Sequence, residues 1–128
     1  MAVTHPTAFR DAVADLVDST LSTTAKLVFR LSGTAGSPGT AVATLAFGNQ
    51  AFGASSSGVI TANAITSDTN ATGNASPVAN ATLETGGGTV VVHCAVAASG
   101  SDINLTGGLT IGAGDTVSCS SLTYTAMP

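Results

Sequence analysis

The chain has 128 residues, of which 44% are hydrophobic, 8% charged and 4% aromatic, and its formal net charge is −4. That length gives one domain, residues 1–128, with a single modest core. Its only basic residues are Arg10, Lys26 and Arg30, too few for the positive stripe of a nucleic-acid binder or for a polybasic membrane anchor. No run approaches the ~20 apolar residues of a membrane helix.

The opening residues, MAVTHPTAFRD, lack the basic and apolar regions of a secretory signal, so synthesis and first folding are expected in a cytoplasm. Ala, Ser, Thr and Gly make up much of the chain, with 15 Gly. Small residues and Thr favour tightly packed β-structure with neutral hydroxyls toward solvent, and the glycines demand frequent turns. A surface so poor in charge is weakly protected against association. It points to a molecule much of whose surface is covered in an assembly, with compositional drift in a stable monomer as the alternative.

Residues 4–21 form the one helical stretch. Phe9, Ala12, Val13, Leu16 and Val17 recur at helical spacing, with Arg10, Asp11, Asp15 and Asp18 mostly off that face. Thr4 or His5 can cap it, and Pro6 sits where a first-turn proline is tolerated. The apolar stripe has two places to go: under an open end of a sandwich, or onto a neighbouring subunit.

Strands are expected over 26–31, with Leu27, Phe29 and Leu31 sharing a face, and over 41–47, with Leu45 and Phe47 inward. Two more are expected over 58–65 and 77–85, where Pro77 argues for an edge or a strand start. Loops fall at 33–39, 48–53 and 67–76, the second carrying an apolar anchor, Phe52. A glycine turn at 86–88 leads into the strongest strand, TVVVHCAVAA over 89–98, with Val90, Val92, Cys94 and Val96 on one face. A small hairpin joins 103–106 to 109–111. The long closing strand, 116–126, carries Val117 and Cys119 on one face. Its parity switches near Ser120 and Ser121 before Leu122 and Tyr124, the mark of a bulge or a change of sheet. About eight strands at regular spacing give a mainly β fold, a β-sandwich or jelly roll over 26–126 with one N-terminal α-helix.

No catalytic, cofactor or metal motif stands out. His93 adjoins Cys94, but neighbours on a strand point to opposite faces and form no dyad. A Ser–His–Asp site using His93 with Asp102 or Asp115 lacks a defined nucleophile, and no G-x-S-x-G elbow occurs. The two His and two Cys match no zinc spacing. Asp68-x-Asn70-x-Thr72-Gly73 mimics the start of a calcium loop, but Ala79 stands where that loop requires a glutamate. Cys94 and Cys119 read as core-facing free thiols, with a cross-strand disulfide the other possibility. Asn70, Asn74, Asn80 and Asn104 begin N-x-[ST] sequons, which a Ser/Thr-rich chain produces by chance.

The stretches THPTAFRDAVADLV, KLVFRL, ATLAFGNQAFGAS and LTIGAGDTVSCSSLTYTA together resemble small virion structural proteins of tailed bacteriophages, over nearly the whole chain. The chain departs from that pattern over 84–98, where ETGGGTVVVHCAVAA stands in place of a more charged hairpin. Some similar small β-sandwich proteins are capsid cement or decoration proteins. The resemblance therefore implies a non-enzymatic protein of the capsid surface, made in a bacterial host cytoplasm. It would bind the major capsid protein and its own copies, without cofactors. A closed homotrimer at local threefold points is the favoured arrangement, a dimer the alternative, with many copies acting by avidity. Phe9, Val13 and Leu16 on the helix and Phe52 on its loop are the contact candidates. The competing reading is a tail or fibre module that binds a receptor or glycan. The absence of Trp and the single Tyr124 weigh against it, because sugar platforms use exposed aromatics.

Overall fold

The structure, a computed structural model, describes residues 3–128; the first two residues of the expected domain lie outside the described residues. Helix α1, Thr7–Leu21, begins at an extended Pro6 whose carbonyl accepts from Phe9 N (3.0 Å) and Arg10 N (3.1 Å). No side chain caps it, so neither Thr4 nor His5 plays the expected role. Pro6 brings a preset φ and a free carbonyl, which is all the helix start uses. His5 instead stacks on Phe9, with ring centroids 5.2 Å apart, and its Nδ1 lies 2.6 Å from Pro128 O.

Eight strands follow: β1 Lys26–Arg30, β2 Ala41–Phe47, β3 Val59–Thr61, β4 Ile65–Thr66, β5 Asn80–Glu84, β6 Val90–Ala97, β7 Ile103–Asn104 and β8 Thr123–Thr125. Six make one sheet in the order β4-β2-β1-β5-β6-β7, and β3 pairs with β8 in a second, two-stranded sheet. All pairings are antiparallel except β6 with β7. The fold is mainly β, a sandwich-like domain with one N-terminal helix. α1 packs across β3 and β6.

The register explains the two faces of the large sheet. Leu27 lies between Leu45 and Leu83, and Phe29 between Ala43 and Ala81. Successive side chains alternate in direction, so these residues build the core with Leu21, Phe52, Ile60, Ile111 and Val117. The opposite face of β1 and β5 carries Lys26, Val28 and Arg30 against Glu84, Thr82 and Asn80.

The second layer is largely irregular chain tied by backbone hydrogen bonds. Segment 58–78 is stitched to 109–126 by Val78 N to Leu109 O, Asn74 N to Ile111 O, a mutual Asp68–Val117 pair, Ala62 N to Leu122 O and Ala126 N to Gly58 O. This replaces three expected elements. The strand over 58–65 is two strands in different sheets, because Ala62–Asn63 turns aside to pair with Phe52 and Ala51. The hairpin of 103–106 with 109–111 does not form: β7 runs parallel to β6, while Leu109 and Ile111 serve residues 74–78. The long strand over 116–126 is a single bridge at Val117 and then β8, broken near Ser120 and Ser121. β5, expected at an edge or with Pro77 at its start, begins after Pro77 and lies at the centre of the sheet.

Two further differences concern faces. The register of β5 with β6 shifts between Leu83 and Glu84, so Leu83 meets Val92 and Glu84 meets Val90. Val91 is the extra residue of a bulge, and Val90 leaves the face of Val92 and Cys94. In α1 the fully buried residues are Ala14 and Leu21, with Val13 and Val17 half-buried. The helix is rolled toward its charged side, because its carboxylates satisfy loop amides. Asp11 Oδ1 accepts from Gly58 N (2.6 Å) and Asp18 Oδ1 from Phe52 N (3.0 Å), while Arg10 Nε donates to Met127 O (3.1 Å).

Candidate functional site

That roll places the four contact candidates in different surroundings. Phe9 is 49% exposed and Leu16 62%. They are seven residues apart, two turns along one side of the helix. Val13, at the flank, is half-buried. Phe52 is 1% exposed, with its ring 5.6 Å from that of Phe47. It is a core residue that pins its loop and offers no contact surface, contrary to its expected place among the interface residues. Met127 joins the exposed set, and its carbonyl is held by Arg10 at the same end of the helix. Sequence reasoning had no way to find Met127, since its neighbour is set by a contact 117 residues away in the chain.

A second feature, also unforeseen, is a polar cluster on the outer face of β1 and β5. Arg30 Nη2 lies 2.5 Å from Glu84 Oε2, with the two side chains 13% and 3% exposed. Arg30 also donates through Nε to Thr82 Oγ1 (3.2 Å) and through Nη1 to Gly39 O (2.6 Å). Thr82 Oγ1 in turn donates to Glu84. Thr82 is fully buried. Next to it, Asn80 donates weakly to Gly33 O (3.5 Å), and its Oδ1 is buried without a partner among the described residues. The polar alternation of N-A-T-L-E was visible in the sequence, but not the strand that opposes it. Burial of Asn80 also removes one of the four sequons from solvent.

The thiols are unlinked and half-buried. Burial, then the nearby Asp102 carboxylate, pushes Cys94 up to about 11. Burial raises Cys119 as well, and its Sγ donates to Ser121 O (3.3 Å). A thiol held protonated is a poor nucleophile and a poor metal ligand. His93 is exposed on β6. Asp102 Oδ2 accepts from Ala95 N (2.9 Å) and Asp115 Oδ2 from Gly112 N (2.7 Å). Asp68 acts as a turn and strand tie, accepting from Asn70 N (3.0 Å) and Thr44 N (2.9 Å). Among the described residues no cluster of three metal-ligating side chains converges, and no helix is long and apolar enough to cross a membrane. No protein-family model, curated protein or solved structure matches the chain.

Proposed function

We propose that this protein is an assembly module rather than a catalyst: a bacteriophage virion structural protein of the capsid cement or decoration kind. In this reading it binds the assembled head, bridges coat subunits of the major capsid protein, and closes on itself as a trimer at local threefold points. The observation that carries the proposal is the outer side of α1, where Phe9 and Leu16 stand exposed two turns apart on a chain only 8% charged. Large apolar side chains exposed on so weakly charged a surface favour burial against another protein. The sequence resemblance supplies the kind of partner. Val13 borders the patch; Phe52 takes no part.

The test uses expanded heads prepared without this protein. Wild-type protein is expected to bind them and to raise their resistance to heat and osmotic shock. Leu16→Asp and Phe9→Asp are expected to fold normally and to lose at least about tenfold in binding, since a charge buried in an apolar contact goes unpaired. Absence of wild-type binding, with unchanged head stability, refutes the proposal.

A further inference from the structure

A slot runs between β7 and the C-terminal segment 115–125. Three recesses of ≈ 230, 350 and 280 Å³ lie along it in a continuous line. Adjacent recesses share wall residues: Asn104 and Ser118 join the first to the third, and Ile103 and Leu122 join the third to the second. The floor is the margin of the core, where Val92, Leu122 and Tyr124 are half-buried over the fully buried Phe29 and Leu83. Phe29, Leu83 and Val92 come up from the large sheet, and Leu122 and Tyr124 from the opposite layer.

The walls are strand edges whose main-chain groups face the opening. Ala126 N bonds to Gly58 O and Ala62 N to Leu122 O, so Leu122, Tyr124 and Ala126 turn their amides toward β3. In an antiparallel ladder the residues between them turn away, so Thr123 and Thr125 point their N–H and C=O groups outward, and both line the second recess. On the other wall, Ala95 N faces away from β5 to reach Asp102. His93, two residues earlier, therefore presents its amide on the same side. Leu105 N bonds to Ala97 O, which leaves Asn104 facing outward from the parallel pair. Among the described residues, none of these four has a backbone partner on that outward side. Unpaired edges on both sides of an apolar floor are the geometry that accepts an added strand.

The rim carries a charge of one sign. Asp102 borders the second and third recesses and Asp115 the first, and no Lys or Arg lines any of them. We infer that this slot binds an extended peptide segment of another polypeptide, with small apolar side chains at alternate positions and a basic residue at its end. Main-chain hydrogen bonds to Thr123, Thr125 and His93 hold the segment. Its inward side chains fill the recesses over Leu122 and Tyr124, and its cation meets Asp102 or Asp115. The inference does not depend on the capsid proposal, because it uses neither Phe9 nor Leu16.

The probe is a capped synthetic peptide, KVTVTVTK, titrated into isotope-labelled protein. Controls are EVTVTVTE and the proline-interrupted KVPVPVPK. Tyr124 is the only tyrosine in a chain without Trp, so its fluorescence reports the slot alone. Saturable amide shifts at Thr123, Thr125 and His93, with a change in Tyr124 emission, are expected for the lysine-flanked peptide. It should bind at least about 5-fold more tightly than the glutamate-flanked one, a gap that closes at high salt. The proline peptide should lose at least about 10-fold, because it lacks the amides that pair with the walls. Asp102→Asn keeps an acceptor for Ala95 N and should weaken the lysine preference while leaving binding; Asp102→Asn with Asp115→Asn should abolish it. Thr123→Pro removes one outward donor and should weaken all binding; should it fail to fold, Asp102→Asn and the three peptides decide the matter. No shift at these amides at millimolar peptide, shifts located elsewhere, or equal binding of all three peptides overturns the inference. Binding to empty heads, measured with and without peptide, tests the capsid proposal separately.

Discussion

Breaking the Arg30–Glu84 pair should be far more costly than breaking an ordinary surface pair. Glu84→Leu strands a guanidinium whose side chain is 13% exposed, and Arg30→Met strands a carboxylate that is 3% exposed. Removing one partner of such a pair costs about 3–5 kcal/mol, because the surviving charge stays desolvated with no opposite charge beside it. For a domain of this size that is a Tm fall of roughly 10–20 °C. The double variant removes both charges and regains most of the loss, but it orphans Thr82. The hydroxyl of Thr82 is fully buried and bonds only within this cluster. One unsatisfied hydroxyl costs about 1–3 kcal/mol, so the double variant should fall short of wild type by that amount. Adding Thr82→Val should close the gap. Urea unfolding of the wild type, both singles, the double and the triple, at constant m-value, measures each step. The reasoning fails if either single costs less than about 1 kcal/mol, the value of an exposed pair, or if the triple is no more stable than the singles.

Three other outcomes follow from the same structure. Phe52→Ala should cost about 3–5 kcal/mol as a core truncation, while Leu16→Ala should stay within about 0.5 kcal/mol, both read by urea unfolding. At Gly73, φ is +70° and an added Cβ would collide with the backbone of Gly112 and Ala113; Gly73→Ala should therefore cost at least about 2 kcal/mol. Gly107, with open space around it, should accept Ala with little effect, and a thermal melt compares the two. Cys94, pushed from 9.0 to about 11 by burial and Asp102, stays protonated in the folded chain where the unfolded thiol ionises. Below that window both states hold the proton; as pH rises through it the unfolded state binds fewer protons, so stability falls. The urea midpoint of the wild type should drop more steeply between these pH values than that of Cys94→Ala.

The elements that were legible in the sequence have strong local signals. The helix, β1 and β2 announce themselves by period, and Leu27, Phe29, Leu45 and Phe47 face inward as their alternation requires. The misread elements are those whose partners lie far along the chain. Residues 116–126 carry strand-like alternation, yet only Thr123–Thr125 is strand, because Asp68, Ala62 and Gly58 claim its amides and carbonyls one at a time. The roll of α1 was hidden for a related reason. A periodicity count treats Asp11 and Asp18 as solvent-facing, whereas the amides of Gly58 and Phe52 draw them inward and leave Phe9 and Leu16 outside. Of the four contact candidates, Phe9 and Leu16 are exposed, Val13 is half-buried and Phe52 belongs to the core.

His5 Nδ1 touches Pro128 O, and Arg10 holds Met127 O. The two ends of the described chain therefore meet at one place on the molecule. A short linker could join them, and the chain could be reopened at the exposed Gly86–Gly88 turn, giving a circularly permuted form with the same contacts. Chain joined after Pro128 sets out near Phe9, on which His5 stacks. A permuted form would carry its fusion from the glycine turn and leave that side of the helix uncovered.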